Sequence, residues 1–219
     1  MKSKLKVLLF FIITVTAVEL FAQQPFVLID SLCGKAEIQK AGKTTWIYVK
    51  QGNKLFHNDK IRLLDRSKAR LRWPDGTTAH VHKNTQLLIN ILQNKPKSTL
   101  SHTTVFFGAV FFMIKNILPQ EITNEMSIYT PDAFVKAKEA SILVDAGKEP
   151  RYSNVKVFEG SADIHNVHKN SKLILTAPYQ VTINMTDLEL IRKVILQSDL
   201  DSIKEWIPEG IIEKIIARQ

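Results

Sequence analysis

From Pro25 to Met185 the chain alternates short apolar stretches with turn residues, the pattern of strands that bury one face and wet the other. The period of two is clearest in Arg70-Leu71-Arg72-Trp73 and in Val155-Lys156-Val157-Phe158-Glu159. Candidate strands are 26–29, 36–39, 45–49, 61–64, 69–73, 77–81, 86–91, 103–107, 109–114, 127–129, 134–137, 141–144, 155–158, 161–165, 173–176 and 180–185. Asp75-Gly76 supplies a hairpin signal between two of them, because glycine accepts the backbone geometry of tight turns. The expected fold class is mainly β, a multi-stranded domain arranged as a solenoid or a sandwich, with short C-terminal α-helices.

Three places share a Gly-x-Ala/Val-x-Ile/Phe pattern, beginning at Gly34, Gly108 and Gly160. Each predicts a glycine that turns the chain into a strand whose alternate residues point inward. The unequal intervals between them exclude a short regular repeat.

After Asn184 the apolar spacing changes to three or four residues. Residues 187–197 and 200–207 predict two short amphipathic helices, with Asp187 and Asp199 near their starts, where a carboxylate meets the positive helix end. Pro208-Glu209-Gly210 interrupts the pattern, and Ile211, Ile212, Ile215 and Ile216 resume it over two turns that need a surface to cover. That surface is either this protein's own sheet or a partner, and the four isoleucines are the candidate partner contacts.

The first 22 residues read differently. Lys2, Lys4 and Lys6 precede the apolar run 7–18, and Ala22 is a small residue at the expected cut, the layout of a secretory signal peptide. The run is too short to span a bilayer, and no later apolar stretch approaches spanning length. The expected organisation is therefore a signal at 1–22, a β domain at 23–185 and a helical extension at 186–219, located in the periplasm or cell envelope. Three Lys and one Glu leave with the signal, so the formal charge falls from +9 to +7. That field favours anionic neighbours such as lipid headgroups or cell-wall polymers, so peripheral membrane contact stays open. Nucleic acid is not an expected partner, since no basic helix or base-stacking motif is present. Cys33 is the only cysteine, which excludes an intramolecular disulfide, and it reads as a buried structural thiol.

The order of these motifs resembles the FecR domain family, named for iron-dicitrate sensor proteins of bacteria. The resemblance covers about residues 27–183. It opens with Gly34-x-Ala36-x-Ile38 and Trp46, then Gly52-x-x-Leu55-x-x-Asn58-Asp59-x-Ile61 and Ser67-x-Ala69-x-Leu71. Asp75-Gly76-Thr77-x-Ala79-x-Val81, Asn84-Thr85-x-Leu87 and Phe106-Phe107-Gly108-Ala109-Val110 follow, then Thr130-Pro131-x-Ala133-x-Val135 and Val155-x-Val157-x-Glu159-Gly160-x-Ala162-x-Ile164. Two departures stand out. Lys138-Glu139-Ala140 occupies the place of the family's usual Arg-Gly-Thr, and at most six residues precede the apolar segment, where sensor members carry a sigma-handling domain. The resemblance thus implies a FecR-like β domain detached from that output.

Chemistry is sparse. His80 and His82 flank Val81 in a strand, so their rings share a face and are the candidate metal ligands, although Ala79 and Val81 as the inward pair leave them solvated and without an evident third ligand. His165 and His168 lie at a strand end and in a polar turn. Asp132, Asp145 and Glu159 read as solvated turn formers. No phosphate loop, dinucleotide fingerprint or zinc-protease motif occurs, so no catalytic residue and no cofactor is expected. Trp46 and Trp73 read as packing anchors. The expected function is a non-catalytic, exported binding or scaffold module for an envelope protein or a cell-surface glycan. The alternatives are an accessory regulator working with a separate membrane protein and, behind it, a metal-dependent enzyme.

Overall fold

The computed structural model describes residues 24–95, 98–115, 123–149, 151–186, 190–205, 207, 210, 212–213 and 217. Sixteen strands and a short helix, with further helical residues at 210, 212 and 213, occupy these residues. The first eight strands are β1 (Val27–Cys33), β2 (Ala36–Gln39), β3 (Trp46–Val49), β4 (Lys54–Leu55), β5 (Lys60–Leu63), β6 (Lys68–Arg72), β7 (Thr78–Val81) and β8 (Gln86–Lys95). The remainder are β9 (Ser98–Ile114), β10 (Thr123–Tyr129), β11 (Ala133–Ala137), β12 (Ala140–Lys148), β13 (Arg151–Asn166), β14 (Lys172–Thr176), β15 (Tyr179–Ile183) and β16 (Arg192–Val194), followed by helix α1 (Gln197–Asp201).

These strands form two layers. Sheet I runs β4-β1-β6-β7-β9-β12-β13-β15-β16, and sheet II runs β3-β2-β5-β8-β9-β10-β11-β13-β14. All pairs are antiparallel except β9 with β10. One apolar core lies between the layers, and its members alternate along each strand: Leu71 and Ala69 on β6, Val110 and Phe112 on β9, Val135 and Ala133 on β11, Val155 and Val157 on β13.

β9 and β13 belong to both layers. Residues 98–107 of β9 pair in sheet II and 108–114 in sheet I, while β13 pairs in sheet I up to Gly160 and in sheet II from Ser161. The crossing points are Gly108 and Gly160, and Gly34 joins β1 of sheet I to β2 of sheet II. The three glycine motifs thus share one task, which is to turn the chain from one sheet into the other. Each corner rests on a neighbouring corner. Lys35 N–H donates to Ser67 Oγ at 2.8 Å, and Ala109 N–H donates to Thr85 Oγ1 at 3.1 Å. The neighbouring corner closes the same contact in reverse, Leu64 N–H to Lys35 O at 3.0 Å and His82 N–H to Ala109 O at 3.0 Å. The matching geometry explains why Gly34-Lys35-Ala36 recurs as Gly108-Ala109-Val110.

Three elements differ from the sequence pattern. The 187–197 periodicity predicts a helix, but residues 192–194 form β16 on the edge of β15, and 187–189 lie outside the described residues. A short segment beside an open sheet edge gains more from ladder hydrogen bonds than from a few helical turns. The helix predicted at 200–207 is one turn earlier and shorter, with Asp199 near its start accepting the Leu196 N–H at 2.8 Å. β4 is a two-residue strand without a visible apolar pattern.

Candidate functional site

The outer face of sheet I is closed by the chain itself. Phe111, Leu143 and Phe158 project outward from β9, β12 and β13 and are buried by Ile195, Leu200, Ile203, Ile207 and Ile212 from the C-terminal segment. Lys156 of β13 fixes this segment through Asp199 at 2.6 Å, and Gln180 of β15 donates to the same carboxylate at 2.9 Å. Burial would raise the Asp199 pKa, but hydrogen bonds from Lys156, the Leu196 amide and Gln180 outweigh it and hold the carboxyl below its ordinary value. Replacing Asp199 with alanine is expected to cost about 1 kcal/mol and to raise amide hydrogen exchange at residues 197–203, with the sheet amides unchanged. Of the four candidate contact isoleucines, Ile212 is packed inside this cluster, while Ile211, Ile215 and Ile216 lie outside the described residues.

His80 and His82 do point outward, with Ala79 and Val81 buried inside, yet they are half-buried rather than fully solvated. The His80 ring sits 6.5 Å from that of Phe111, and burial, reinforced by Arg70, lowers its pKa to about 4. Burial also lowers His82, with Lys83 acting in the same sense against Asp145 and Glu205. Asp145 is itself raised by burial although Tyr152 donates to it at 3.0 Å. No group of three metal-ligating side chains exists among the described residues, so no third ligand joins the two histidines. Their burial gives them a pH response. Unfolded His80 takes a proton near pH 6.5 and the folded form resists it to about pH 4, so stability falls as pH drops through that window. The loss is about 2 kcal/mol after solvent screening. His80→Phe is therefore expected to raise the melting temperature at pH 5 relative to the parent and to change it little at pH 8, as thermal melts at the two values would show.

A second polar cluster lies between the sheets' edges. Asp132, 0% exposed, receives Arg151 Nε at 2.9 Å, His168 Nε2 at 2.8 Å and Ser153 Oγ at 3.3 Å. Thr130 and Ser153 share a hydroxyl contact at 2.7 Å, and the Asp132 and Ala133 amides donate to Thr130 Oγ1. Serine, aspartate and histidine are all present, but the serine meets the aspartate and the threonine rather than the histidine, and Ser153 is fully buried. This is a structural tie for the Thr130-Pro131 turn rather than a nucleophile relay. Asp132 is thus buried and Asp145 half-buried, and both are hydrogen-bonded where the sequence reads as solvated turns. Among the other motif residues, Asp59 is buried and accepts from the Phe56 and Ala41 amides and from Lys40, Gly52 and Gly76 sit in turns, and exposed Glu159 accepts from Ser141. Trp73 is core, whereas Trp46 is partly exposed on β3 beneath the Arg62 guanidinium at 4.3 Å. Cys33, expected to be buried, is exposed at the end of β1, just before the Gly34 corner.

The outer face of sheet II carries no such cover among the described residues. A ladder of partly exposed rings crosses four adjacent strands there. His102 of β9 stacks on Tyr129 of β10 at 6.1 Å, Tyr129 on Phe134 of β11 at 4.7 Å, and Phe134 meets His165 of β13 at 5.5 Å. The cause is register, since Tyr129 lies opposite Phe134 and Phe134 opposite His165. Lys136, paired with Glu125 at 3.0 Å, lies 5.7 Å from the Phe134 centroid. Half-exposed aromatic rows rimmed by charge are suited to binding a partner, because they offer large contact area at little entropy cost. The sequence places Tyr129, Phe134 and His165 in candidate strands and His102 just before one, but it does not show that they stand in one row.

No family model and no curated protein matches the chain. Its fold is similar to that of two solved structures. Two crystal structures of "a putative anti-sigma factor" from Parabacteroides distasonis align with it, one at TM-score 0.50 and 22% identity, the other at TM-score 0.53 and 20% identity. They match 62% and 66% of this chain, which spans 59% and 63% of theirs. The likeness is one of fold. No helix among the described residues is long and apolar enough to cross a membrane.

Proposed function

We propose that the chain is an exported, non-catalytic binding module of FecR-like type that engages another envelope protein through the open side of sheet II. The observation that carries this reading is the contrast between the two outer faces. Sheet I buries its outward aromatics under the protein's own C-terminal segment, whereas sheet II leaves a row of rings from His102 to His165 partly exposed. The anti-sigma-like fold supports a protein as the partner, and it favours a regulatory accessory as the second reading, in which that partner is a membrane protein of envelope signalling.

The test is fractionation of cells producing the tagged full-length chain, with a photo-cross-linking residue at position 129. An adduct with an envelope protein is expected, and a sigma-regulating membrane protein in that adduct would favour the second reading. Recovery in the cytosol would remove export, and adducts carrying glycan in place of protein would overturn the choice of partner. Tyr129→Ala is expected to weaken capture about tenfold.

A further inference from the structure

The eight large apolar side chains most exposed among the described residues include two neighbours on one strand, Ile47 at 50% and Tyr48 at 66%. Both belong to β3, which pairs with β2 alone among the described residues and forms the outer edge of sheet II. One side of its backbone is therefore open along Trp46-Ile47-Tyr48-Val49. The two faces of the strand differ. Trp46 and Tyr48 point outward, whereas Val49 is buried and Ile47 looks toward the same interior, half exposed because the layer ends there. A further strand laid against β3 would cover Ile47 and extend the core by one row.

Native edges of this kind are ordinarily protected by charge, proline or a bulge. Here the protection is electrostatic and of one sign. Residues 40–54 contain Lys40, Lys43, Lys50 and Lys54 and no Asp or Glu. Lys40 is paired with Asp59 and Lys54 lies over the Phe26 ring, but Lys43 and Lys50 are exposed at the two ends of β3. Pairing of two copies through this edge would set lysines against lysines at both ends, whichever way the strands ran, which like-charge repulsion opposes. The same arrangement attracts an extended segment with carboxylates at its ends.

We infer that β3 is a strand-addition site for an acidic, extended segment of a different protein. It rests on the proposed binding role and names the element and the partner's chemistry. Backbone bonds to the open side of β3 supply affinity, Ile47, Trp46 and Tyr48 select alternating apolar residues, and Lys43 and Lys50 select the flanking carboxylates.

The experiment uses the full chain and two synthetic peptides of alternating Val and Thr, one flanked by glutamates and the other by lysines. The glutamate peptide is expected to bind, to slow amide exchange at residues 46–49, and to lose about tenfold in affinity when Lys43→Glu and Lys50→Glu are combined, with the preference passing to the lysine peptide. Both lysines are exposed, and a thermal melt checks that the double variant is folded. Equal binding of both peptides, protection elsewhere than β3, or absence of binding would overturn the site. So would protection at 46–49 that grows with protein concentration alone, which would assign the edge to a second copy. Cross-linking from position 129 stays interpretable in each case, so loss of the β3 site and loss of the binding role are told apart.

Discussion

Gly160→Ala is expected to prevent stable folding, with a cost of about 4 kcal/mol or more. Gly160 has φ +75° at the point where β13 leaves sheet I, and an added Cβ would run into the Glu139 carbonyl oxygen and lie 3.1 Å from the Ala140 Cα. Neither neighbour can move freely, because Ala140 pairs with Gly160 itself and with Ile114 across β12. Gly108 poses the same problem against Thr85, whose Cα would stand 2.6 Å from the new carbon. The control is Gly52→Ala. Gly52 also has positive φ, +87°, but nothing lies within 4 Å of the added carbon, so only the backbone term of about 1–2 kcal/mol applies. Urea denaturation of the three variants would check the ranking. Equal losses at 52 and 160 would mean that backbone conformation alone, and not the close approach of two corners, makes these glycines necessary.

Asp132→Ala is expected to cost about 3 kcal/mol, the largest effect of any polar substitution discussed. The carboxylate is fully buried and simultaneously holds Arg151, His168 and Ser153, and the Asp132 carbonyl accepts from Val167. Removing it leaves the Ser153 hydroxyl with Thr130 alone, leaves Arg151 without its carboxylate and releases the His168 side chain, so that backbone bonds alone hold the 166–171 turn. Asp132→Asn retains the size and part of the hydrogen bonding, so it should recover about half of the loss. Denaturant midpoints for the two variants measure this, and amide exchange at Val167 and His168 reports the turn directly. An alanine variant as stable as the parent would show that Arg151 and His168 are adequately held by solvent.

The strands were largely legible because burial on one face forces alternation, and alternation survives in the sequence whatever the partners are. Val155 to Phe158 and Ser161 to His165 were visible as two strands. They are one continuous strand, β13, bent at Gly160, because a bend leaves the side-chain period intact on both sides while changing which sheet it serves. The three glycine motifs were equally visible, but their common purpose needed the neighbouring corners, whose Ser67 and Thr85 lie 33 residues after Gly34 and 23 before Gly108. His80 and His82 show the opposite limit. Their outward direction follows from Ala79 and Val81, yet their low proton affinity depends on burial in the folded protein, reinforced by Arg70 at His80 and by Lys83 at His82.

Local order thus determined the class of this protein: exposed and buried positions alternate, a turn falls at Asp75-Gly76, and the apolar spacing changes after Asn184. Only tertiary packing decided which faces stay available. The same outward aromatic residues are core on sheet I, where Phe111 and Phe158 lie under Ile203 and Ile207, and surface on sheet II, where Tyr129 and Phe134 do not. The period of a strand specifies which side of a sheet a residue occupies, but what covers that side is set by long-range contacts that leave no periodic mark in the chain.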